Sequence, residues 1–204
     1  MNASYFQDGQ CVSMNRRCDQ IINCRDKSDE EDCSMLVIEN SYNKKVAPFS
    51  TVSNADLTIV AVPVNITMVL KNILDIAEVQ HIIELKFGIM LEWYENRALF
   101  HNLKHEITLN ALTENEMYEL WTPYVIYENT DKSEAVKLRA DVDTTITVTR
   151  EGEFTRSGME VADEIEIFKG SENKLTMNQT ESKRFHCTYQ LQKYPFDTQV
   201  LQRI

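Results

Sequence analysis

The chain has 204 residues, of which 43% are hydrophobic and 26% are charged, and its formal net charge is −11 at pH 7. These proportions are typical of a globular protein and exclude a low-complexity or collagen-like chain. The acidic excess opposes binding to a phosphate backbone, so it excludes nucleic acid as an expected partner and favours cations or basic proteins. No stretch reaches the roughly 20 apolar residues of a membrane helix, and the first residues lack the apolar core of a signal peptide. The sequence as given therefore predicts no membrane helix and no export signal of its own.

Cysteines divide the chain into a short cysteine-rich segment and a long remainder. Four of them lie at Cys11, Cys18, Cys24 and Cys33, whereas Cys187 stands alone. A segment this short cannot bury a sizeable core, and dense cysteines are then typical of disulfide-linked extracellular modules. A zinc site is the alternative, but the spacing contains no C-x-x-C pair and no histidine lies nearby. We therefore predict disulfides and a secretory compartment.

Three N-x-S/T sequons indicate the same compartment. They begin at Asn2, Asn65 and Asn178. Each is a predicted glycosylation site, and together with the cysteines they place the chain in an oxidising environment.

The segment from Cys18 to Cys33 concentrates carboxylates. It reads C-D-Q-I-I-N-C-R-D-K-S-D-E-E-D-C. Hard oxygen ligands held together in a loop suit Ca²⁺, whose charge offsets the repulsion among the carboxylates. The alternative is an acidic run that is only solvated. We predict a calcium site in this segment.

The order of these residues resembles the C-terminal half of a low-density lipoprotein receptor class A repeat. The resemblance implies a Cys18–Cys33 disulfide, with Asp26 and Ser28 as supporting residues. The implied calcium ligands are the side chains of Asp19, Asn23, Asp29 and Glu30 and the carbonyl groups of Arg16 and Ile21. Asn23 stands where the family more often has Asp, which predicts weaker binding because one negative charge is missing.

The upstream half of the repeat departs from the family. The family's first cysteine is absent here, and Phe6 occupies the place of its second. Cys11 and Cys24 consequently lose their usual partners. They either pair with each other or remain thiols.

From Leu36 onwards the periodicity is that of β-strands. Apolar residues occupy every second position from Val60 to Leu70 and again from Ile83 to Trp93, which predicts half-buried strands. Thr145–Thr149 and Val161–Phe168 are further predicted strands, and Thr113-Glu114-Asn115-Glu116 predicts a short capped helix. Strands separated by turn signals favour a mainly β fold built as an antiparallel sandwich.

Catalytic groupings are scarce. His101 and His105 are four residues apart, but the glutamate of a zinc-protease helix is missing between them. The sequence contains no G-x-S-x-G, P-loop or G-x-G-x-x-G motif, and no His or Asp arrangement is evident around Cys187. We therefore expect that the chain is not an enzyme.

Three segments, taken in order, resemble the extracellular ligand-binding domain of pentameric ligand-gated ion channels, the Cys-loop receptors. They are Trp93–Leu99, Leu112–Asn129 and Cys187–Gln199, within a match that runs from about Tyr42 to Gln199. The resemblance implies an immunoglobulin-like β-sandwich that lacks its last strands and the membrane domain. Such a truncated sheet is expected to expose an unpaired edge that promotes aggregation.

The same resemblance assigns ligand-binding positions. Trp121, Pro123 and Asn129 frame a segment of the principal face, and Glu128 points towards the ligand where an aromatic residue is frequent. On the complementary face an often aromatic position is Gly88. Both changes weaken an aromatic cage for an ammonium ligand, so the sequence does not identify the agonist.

The family's signature loop is present in part. Cys187 is its first cysteine, but Leu201 occupies the place of the second, so the defining disulfide cannot close. The core of the loop is intact and contains the gating residues Tyr194, Pro195, Phe196 and Asp197.

These observations predict two modules, with residues 1–34 as a partial class A repeat and residues 36–204 as an incomplete ligand-binding domain. The predicted function is that of an extracellular fragment of a ligand-gated channel subunit at the plasma membrane. Its expected partners are a small-molecule agonist, other subunits of a pentamer, and the membrane through C-terminal helices outside this sequence. The alternative is a soluble, secreted, pentameric binding protein of the same fold without a pore.

Overall fold

A computed structural model describes residues 3–5, 11–13, 16–31, 33–53, 57–130, 144–156, 165–187 and 189. The chain divides into two compact units. Unit 1 comprises Met1–Asn65, Glu92–Pro123 and Thr145–Thr176. Unit 2 comprises Ile66–Leu91, Tyr124–Thr144 and Met177–Ile204.

The described residues form twelve strands and one α-helix. The strands are β1 (Ala3–Tyr5), β2 (Cys11–Ser13), β3 (Leu36–Ile38), β4 (Phe49–Ser53), β5 (Leu57–Ala61), β6 (Asn65–Ala77), β7 (Ile82–Trp93), β8 (Ala98–His101), β9 (Thr144–Thr149), β10 (Phe154–Arg156), β11 (Glu166–Lys169) and β12 (Lys174–His186). The helix α1 spans Glu114–Glu119, and two short 3-10 turns lie at Ser28–Glu30 and Ile107–Asn110.

Two four-stranded sheets carry the fold. Their strand orders are β10-β11-β8-β3 and β6-β7-β12-β9, and two hairpin-like pairs, β1-β2 and β4-β5, accompany them. The pairs in the first sheet are antiparallel: β8 lies between β3 and β11, with Phe100 opposite both Leu36 and Phe168. The predicted fold class, a mainly β antiparallel sandwich preceded by a disulfide-linked module, is confirmed.

The core of unit 1 is built from the inward positions of its strands. Ile146 and Val148 of β9 are buried and Thr147 between them is not, which confirms the period-two pattern predicted there. Trp93 is 1% exposed and packs edge-to-face on Trp121, with ring centroids 6.2 Å apart. Such large aromatic rings contribute much of the buried apolar area of a small domain.

Helix α1 begins with the predicted capping box. The Thr113 hydroxyl accepts the backbone N–H of Glu116, and the Glu116 carboxylate accepts the N–H of Thr113 at 2.8 Å. Two N–H groups at the start of the helix are thereby satisfied, which explains why a helix of six residues is stable at this place.

In unit 2, the burial of β7 confirms the predicted half-buried strand, whereas the burial of β6 contradicts the same prediction. Ile83, Phe87 and Ile89 are buried while Glu84 and Lys86 between them are not. The regular stretch predicted from Val60 to Leu70 is instead interrupted at residues 62–64, and Ile66, Met68 and Leu70 are 56–63% exposed. The prediction of half-burial was wrong for these residues because β6 ends its sheet and no described residue covers them. Alternation alone does not say whether a second layer is present.

Candidate functional site

The covalent frame of the repeat is the disulfide between Cys18 and Cys33, with a Cα–Cα distance of 5.7 Å. This pairing is the one that the resemblance implied. Cys24 is buried, and the side chain of Cys11 lies outside the described residues, so the two alternatives for these cysteines stay predictions.

Four of the six predicted calcium ligands converge on one point of the repeat. The amide nitrogen of Asn23 lies 2.6 Å from the carbonyl oxygen of Ile21, and 3.5 Å from both the Arg16 carbonyl and an Asp19 carboxylate oxygen. Oxygen atoms gathered in this way repel one another unless a donor or a cation lies among them. Here the Asn23 amide supplies that donor.

Asp29 gives the strongest indication that the site suits a cation. Its side chain is fully buried, and one carboxylate oxygen accepts the N–H of Asn23 while the other, Oδ1, accepts no hydrogen bond from the described residues. Burial alone would raise the pKa of Asp29, but backbone N–H bonds from Asn23 and Cys24 lower it below its usual range. A buried, ionised and half-satisfied carboxylate is the kind of group that a metal ion completes.

Glu30, a predicted ligand, makes two backbone contacts in this structure. Its two carboxylate oxygens accept the N–H groups of Asp19 and Gln20 at 2.9 and 3.0 Å. These contacts fasten the loop that carries Asp19, and the role of Glu30 as a ligand stays a prediction. Among the described residues, no group of three or more His, Cys, Asp or Glu side chains is placed to hold a metal ion. The groups that do converge are one side-chain amide, two backbone carbonyls and individual carboxylates. These groups supply the oxygen ligands that Ca²⁺ prefers.

Hydrogen bonds within unit 1 join the repeat, and the linker after it, to the β-domain. The Lys104 ammonium donates to the Arg17 carbonyl oxygen at 2.6 Å, and one Glu116 oxygen accepts the N–H groups of Met35 and Leu36 at 2.7 and 2.8 Å. Burial acts to raise the pKa of Glu116, but the backbone N–H bonds outweigh it and lower that pKa. The capping residue of α1 thus also holds the linker after the repeat. Residues of both modules, among them Arg17, Glu30 and His101, line a cavity of about 410 Å³.

The segment that contains Trp121 and Pro123 is positioned by a polar network that the sequence analysis missed. The Tyr42 hydroxyl accepts the N–H of Trp121 at 2.8 Å and donates to Glu95 at 3.0 Å. Glu95 is fully buried and receives two N–H groups of Arg97, each at 2.7 Å. Burial, with a smaller contribution from the negative charge of Glu95, raises the pKa of Tyr42 far above its ordinary value. Glu95 and Arg97 follow Trp93 at a spacing of two residues. This pair of opposite charges was the feature of the sequence that could have indicated the network.

Two of the predicted principal-face residues, Glu128 and Asn129, lie in unit 2, whereas Trp121 and Pro123 lie in unit 1. Glu128 is exposed, and its role towards a ligand stays a prediction. Asn129 is fixed to the end of β12, because its backbone oxygen accepts the N–H of His186 at 2.9 Å and its amide donates to the His186 oxygen at 3.3 Å. Beneath this segment Tyr127 packs on Phe87 and Phe185, with ring centroids 5.7 and 5.9 Å away.

At the predicted complementary-face position, a lysine side chain packs against Gly88. A β-carbon added to Gly88 would lie 3.1 Å from Cε of Lys71. The Lys71 ammonium continues across the sheet and donates to the Thr180 hydroxyl at 2.9 Å. A cation at this position offers no aromatic face to an ammonium ligand.

The start of the signature loop is fastened to the turn before β7. The N–H of Cys187 donates to the His81 oxygen at 2.8 Å, and the Tyr189 hydroxyl donates to the Ile82 oxygen at 3.1 Å. Cys187 is a free thiol whose pKa is raised by burial. The remaining gating residues, Tyr194, Pro195, Phe196 and Asp197, lie outside the described residues.

Of the three sequons, the described Asn65 and Asn178 are exposed, while Asn2 lies outside the described residues. No helix in the described part of the chain is long and apolar enough to span a membrane.

Comparison with known proteins matches two parts of the chain to protein families. The family model of the neurotransmitter-gated ion-channel ligand binding domain matches residues 30–200, and the model of the low-density lipoprotein receptor domain class A matches residues 6–33. No curated protein matches the chain significantly. Because the first match spans most of the sequence, the chain belongs to the neurotransmitter-gated ion-channel ligand-binding domain family.

Proposed function

We propose that the chain is the extracellular ligand-binding part of a ligand-gated channel subunit, in which a small molecule bound between subunits gates ion flow through the membrane. The match to the channel family over residues 30–200 carries this proposal. That family is one of ligand-binding domains and not of enzymes, which supports a binding role without catalysis. The subunits are proposed to form a closed pentameric ring at the plasma membrane, with this part outside the cell.

The contacts in unit 2 support a route from ligand to gate. Glu128 is exposed to a ligand, and its neighbour Asn129 is bonded to His186, the residue directly before Cys187. A ligand that moves the Glu128 segment would therefore pull on the strand leading into the signature loop. In a two-state description, the ligand binds the open arrangement more tightly and raises its population.

Electrophysiology tests this function directly. The coding sequence past residue 204 is determined first, and the complete product is expressed in cells and screened for currents evoked by small amines, amino acids and carboxylates. We expect four apolar stretches of about 20 residues and a ligand-evoked current. Glu128→Gln should shift the half-maximal ligand concentration at least roughly tenfold, since a charged contact to a ligand is worth about 1.4 kcal/mol or more.

The matched control is Glu119→Gln, which makes the same change at an exposed residue of α1. A secreted product that binds ligand and has no apolar helices would contradict the channel and support the soluble pentameric alternative. Equal shifts for the two variants would remove Glu128 from the proposed site.

We further propose that the repeat binds Ca²⁺ through Asp19, Asn23, Asp29 and Glu30 and the carbonyls of Arg16 and Ile21. The unsatisfied oxygen of Asp29 supports this site. Calorimetric titration of the chain with Ca²⁺ should give a binding isotherm that Asp29→Asn weakens by at least about tenfold, since one ligand charge is lost. Glu31→Gln, at an exposed neighbour outside the ligand set, should leave the isotherm unchanged. No heat at millimolar Ca²⁺ would refute the site.

A further inference from the structure

The cavity inside unit 1 lies where the repeat meets the β-domain. Its volume of about 410 Å³ is within the usual range of small-molecule pockets. The repeat contributes Arg17, Gln20 and Glu30 to its wall, and the β-domain contributes His101 and Lys104. Neither the proposed channel function nor the proposed calcium site makes use of this space.

Arg17 brings an unpaired donor to the cavity wall. Its Nε atom is buried and has no hydrogen-bond acceptor among the described residues. Buried polar atoms are nearly always paired in folded proteins, so a ligand oxygen would be favoured beside this one. A guanidinium group pairs best with a carboxylate, whose two oxygens accept two parallel N–H bonds.

Lys104 is a second cation on this wall. It is half-buried, and its ammonium donates to the Arg17 carbonyl oxygen at 2.6 Å. Burial lowers the pKa of Lys104, while the negative charges of Asp19 and Glu30 act to raise it. A partly desolvated ammonium is stabilised by any further negative charge that lies beside it.

The wall itself carries little negative charge. Among the described residues that line the cavity, Glu30 is the acidic one, and its two oxygens accept the N–H groups of Asp19 and Gln20 at 2.9 and 3.0 Å. These bonds offset part of its charge, and a Ca²⁺ ion bound through Glu30 would offset more of it, so the two sites are compatible. Two cations therefore face one compensated carboxylate, which favours an anion.

Apolar side chains complete the lining, among them Met35, Leu109 and Ile165. A hydrated inorganic anion gains nothing from such a surface, whereas a short hydrocarbon chain is removed from water there. The lining therefore favours a molecule with one charged end and a short apolar body.

We propose that this cavity binds a small monocarboxylate, whose carboxylate is held by Arg17 and Lys104 and whose hydrocarbon chain packs on Met35, Leu109 and Ile165. Such a ligand contacts the repeat and the β-domain together and stabilises the junction between them. The site lies within one chain and needs no second copy. It is therefore compatible with a pentameric ring and separate from the agonist site proposed between subunits.

Calorimetric titration with isovalerate in calcium-free buffer tests the site. We expect binding in the millimolar range or tighter for the unchanged chain, and at least roughly tenfold weaker binding for two matched probes. Isovaleramide keeps the shape of the acid but lacks its charge, and acetate keeps the charge but lacks most of the apolar body. No heat with isovalerate, or an equal affinity for either matched probe, would overturn the proposal.

A matched pair of variants tests the role of Arg17. Arg17→Met should weaken isovalerate binding by roughly tenfold or more, because it removes the guanidinium and keeps an unbranched side chain. Arg25→Met makes the same charge change at an exposed residue of the repeat and should leave the affinity unchanged. Equal affinities of the two variants would contradict the site.

Nuclear magnetic resonance locates the ligand in the unchanged chain, so this measurement does not depend on whether a variant folds. Isovalerate should shift the ring signals of His101, which lines the cavity, and leave those of His81 and His186 in unit 2 unchanged. Unchanged His101 signals at saturating isovalerate would place the ligand elsewhere and refute the proposal. None of these measurements involves channel currents or calcium, so their failure would leave the proposed function untouched.

Discussion

The repeat and the β-domain are stabilised by different interactions. In the repeat, Ile21 and Ile22 are about 60% exposed, and the structure depends on the Cys18–Cys33 bridge and a fully buried Asp29. In the β-domain, Phe100 and Phe168 are fully buried and lie opposite each other on paired strands. A segment of about 30 residues cannot enclose enough apolar area to fold alone, so it uses a covalent link and polar contacts, whereas a longer chain uses burial. The two regions should therefore fail under different perturbations.

The largest expected effect is the loss of a core aromatic ring in the β-domain. Trp93→Ala should lower the free energy of unfolding by about 3–5 kcal/mol, because a buried ring is removed and a cavity remains. Denaturant unfolding followed by circular dichroism measures this change. Tyr124→Ala, at a residue 68% exposed, is the control and should change the value by less than about 0.5 kcal/mol. Similar losses for the two variants would show that Trp93 does not anchor the core.

A smaller effect, confined to the repeat, is expected when its bridge is removed. Replacing Cys18 and Cys33 together by alanine should destabilise the repeat by about 3 kcal/mol, from the entropy of a 15-residue loop. Hydrogen exchange should then lose protection at residues 16–31 while β7 and β8 stay protected. Equal loss in the β-domain would contradict the separation between covalent and apolar stabilisation.

The smallest effect should appear where the two regions meet, at Glu116. Glu116→Gln removes charge-assisted bonds to Met35 and Leu36 and should cost about 2 kcal/mol at neutral pH. The folded-state pKa is lowered, so the stabilisation is present above the unfolded pKa and is lost as the pH falls towards the folded value. Unfolding titrations between pH 7 and about pH 3 should show this loss in the original chain and less of it in the variant. If the free energy of unfolding changed with pH in the same way in both proteins, Glu116 would not be the group that makes stability depend on pH.

Local patterns in the sequence were sufficient for several elements. The capping box at Thr113 and Glu116, the alternation of β7, and the Cys18–Cys33 pair were all predicted and are confirmed. Each depends on residues close in sequence or on a spacing typical of a family. Propensity and periodicity are reliable under those conditions.

Long-range polar contacts were beyond sequence reasoning. The bond from Tyr42 to Glu95 spans 53 positions, and the bond from Leu36 to Glu116 spans 80. Nothing in a single sequence indicates which distant polar groups satisfy each other. The ligand-facing role of Glu128 stays a prediction. The lysine beside Gly88 comes from β6, and the sequence offered no link between Lys71 and Gly88.

The amino-acid sequence by itself determined the division into a cysteine-rich repeat and a β-domain, the strand character of most elements, and the family to which the chain belongs, because cysteine spacing, alternation and motif order are local properties. Tertiary structure alone decided which alternating strand is covered. Strands β6 and β7 both alternate, but β7 is hydrogen-bonded on both sides and buries one face, whereas β6 is the last described strand of its sheet and both its faces are exposed among the described residues. Burial depends on what packs against a strand, and that neighbour is chosen by the fold and not by the strand's own residues.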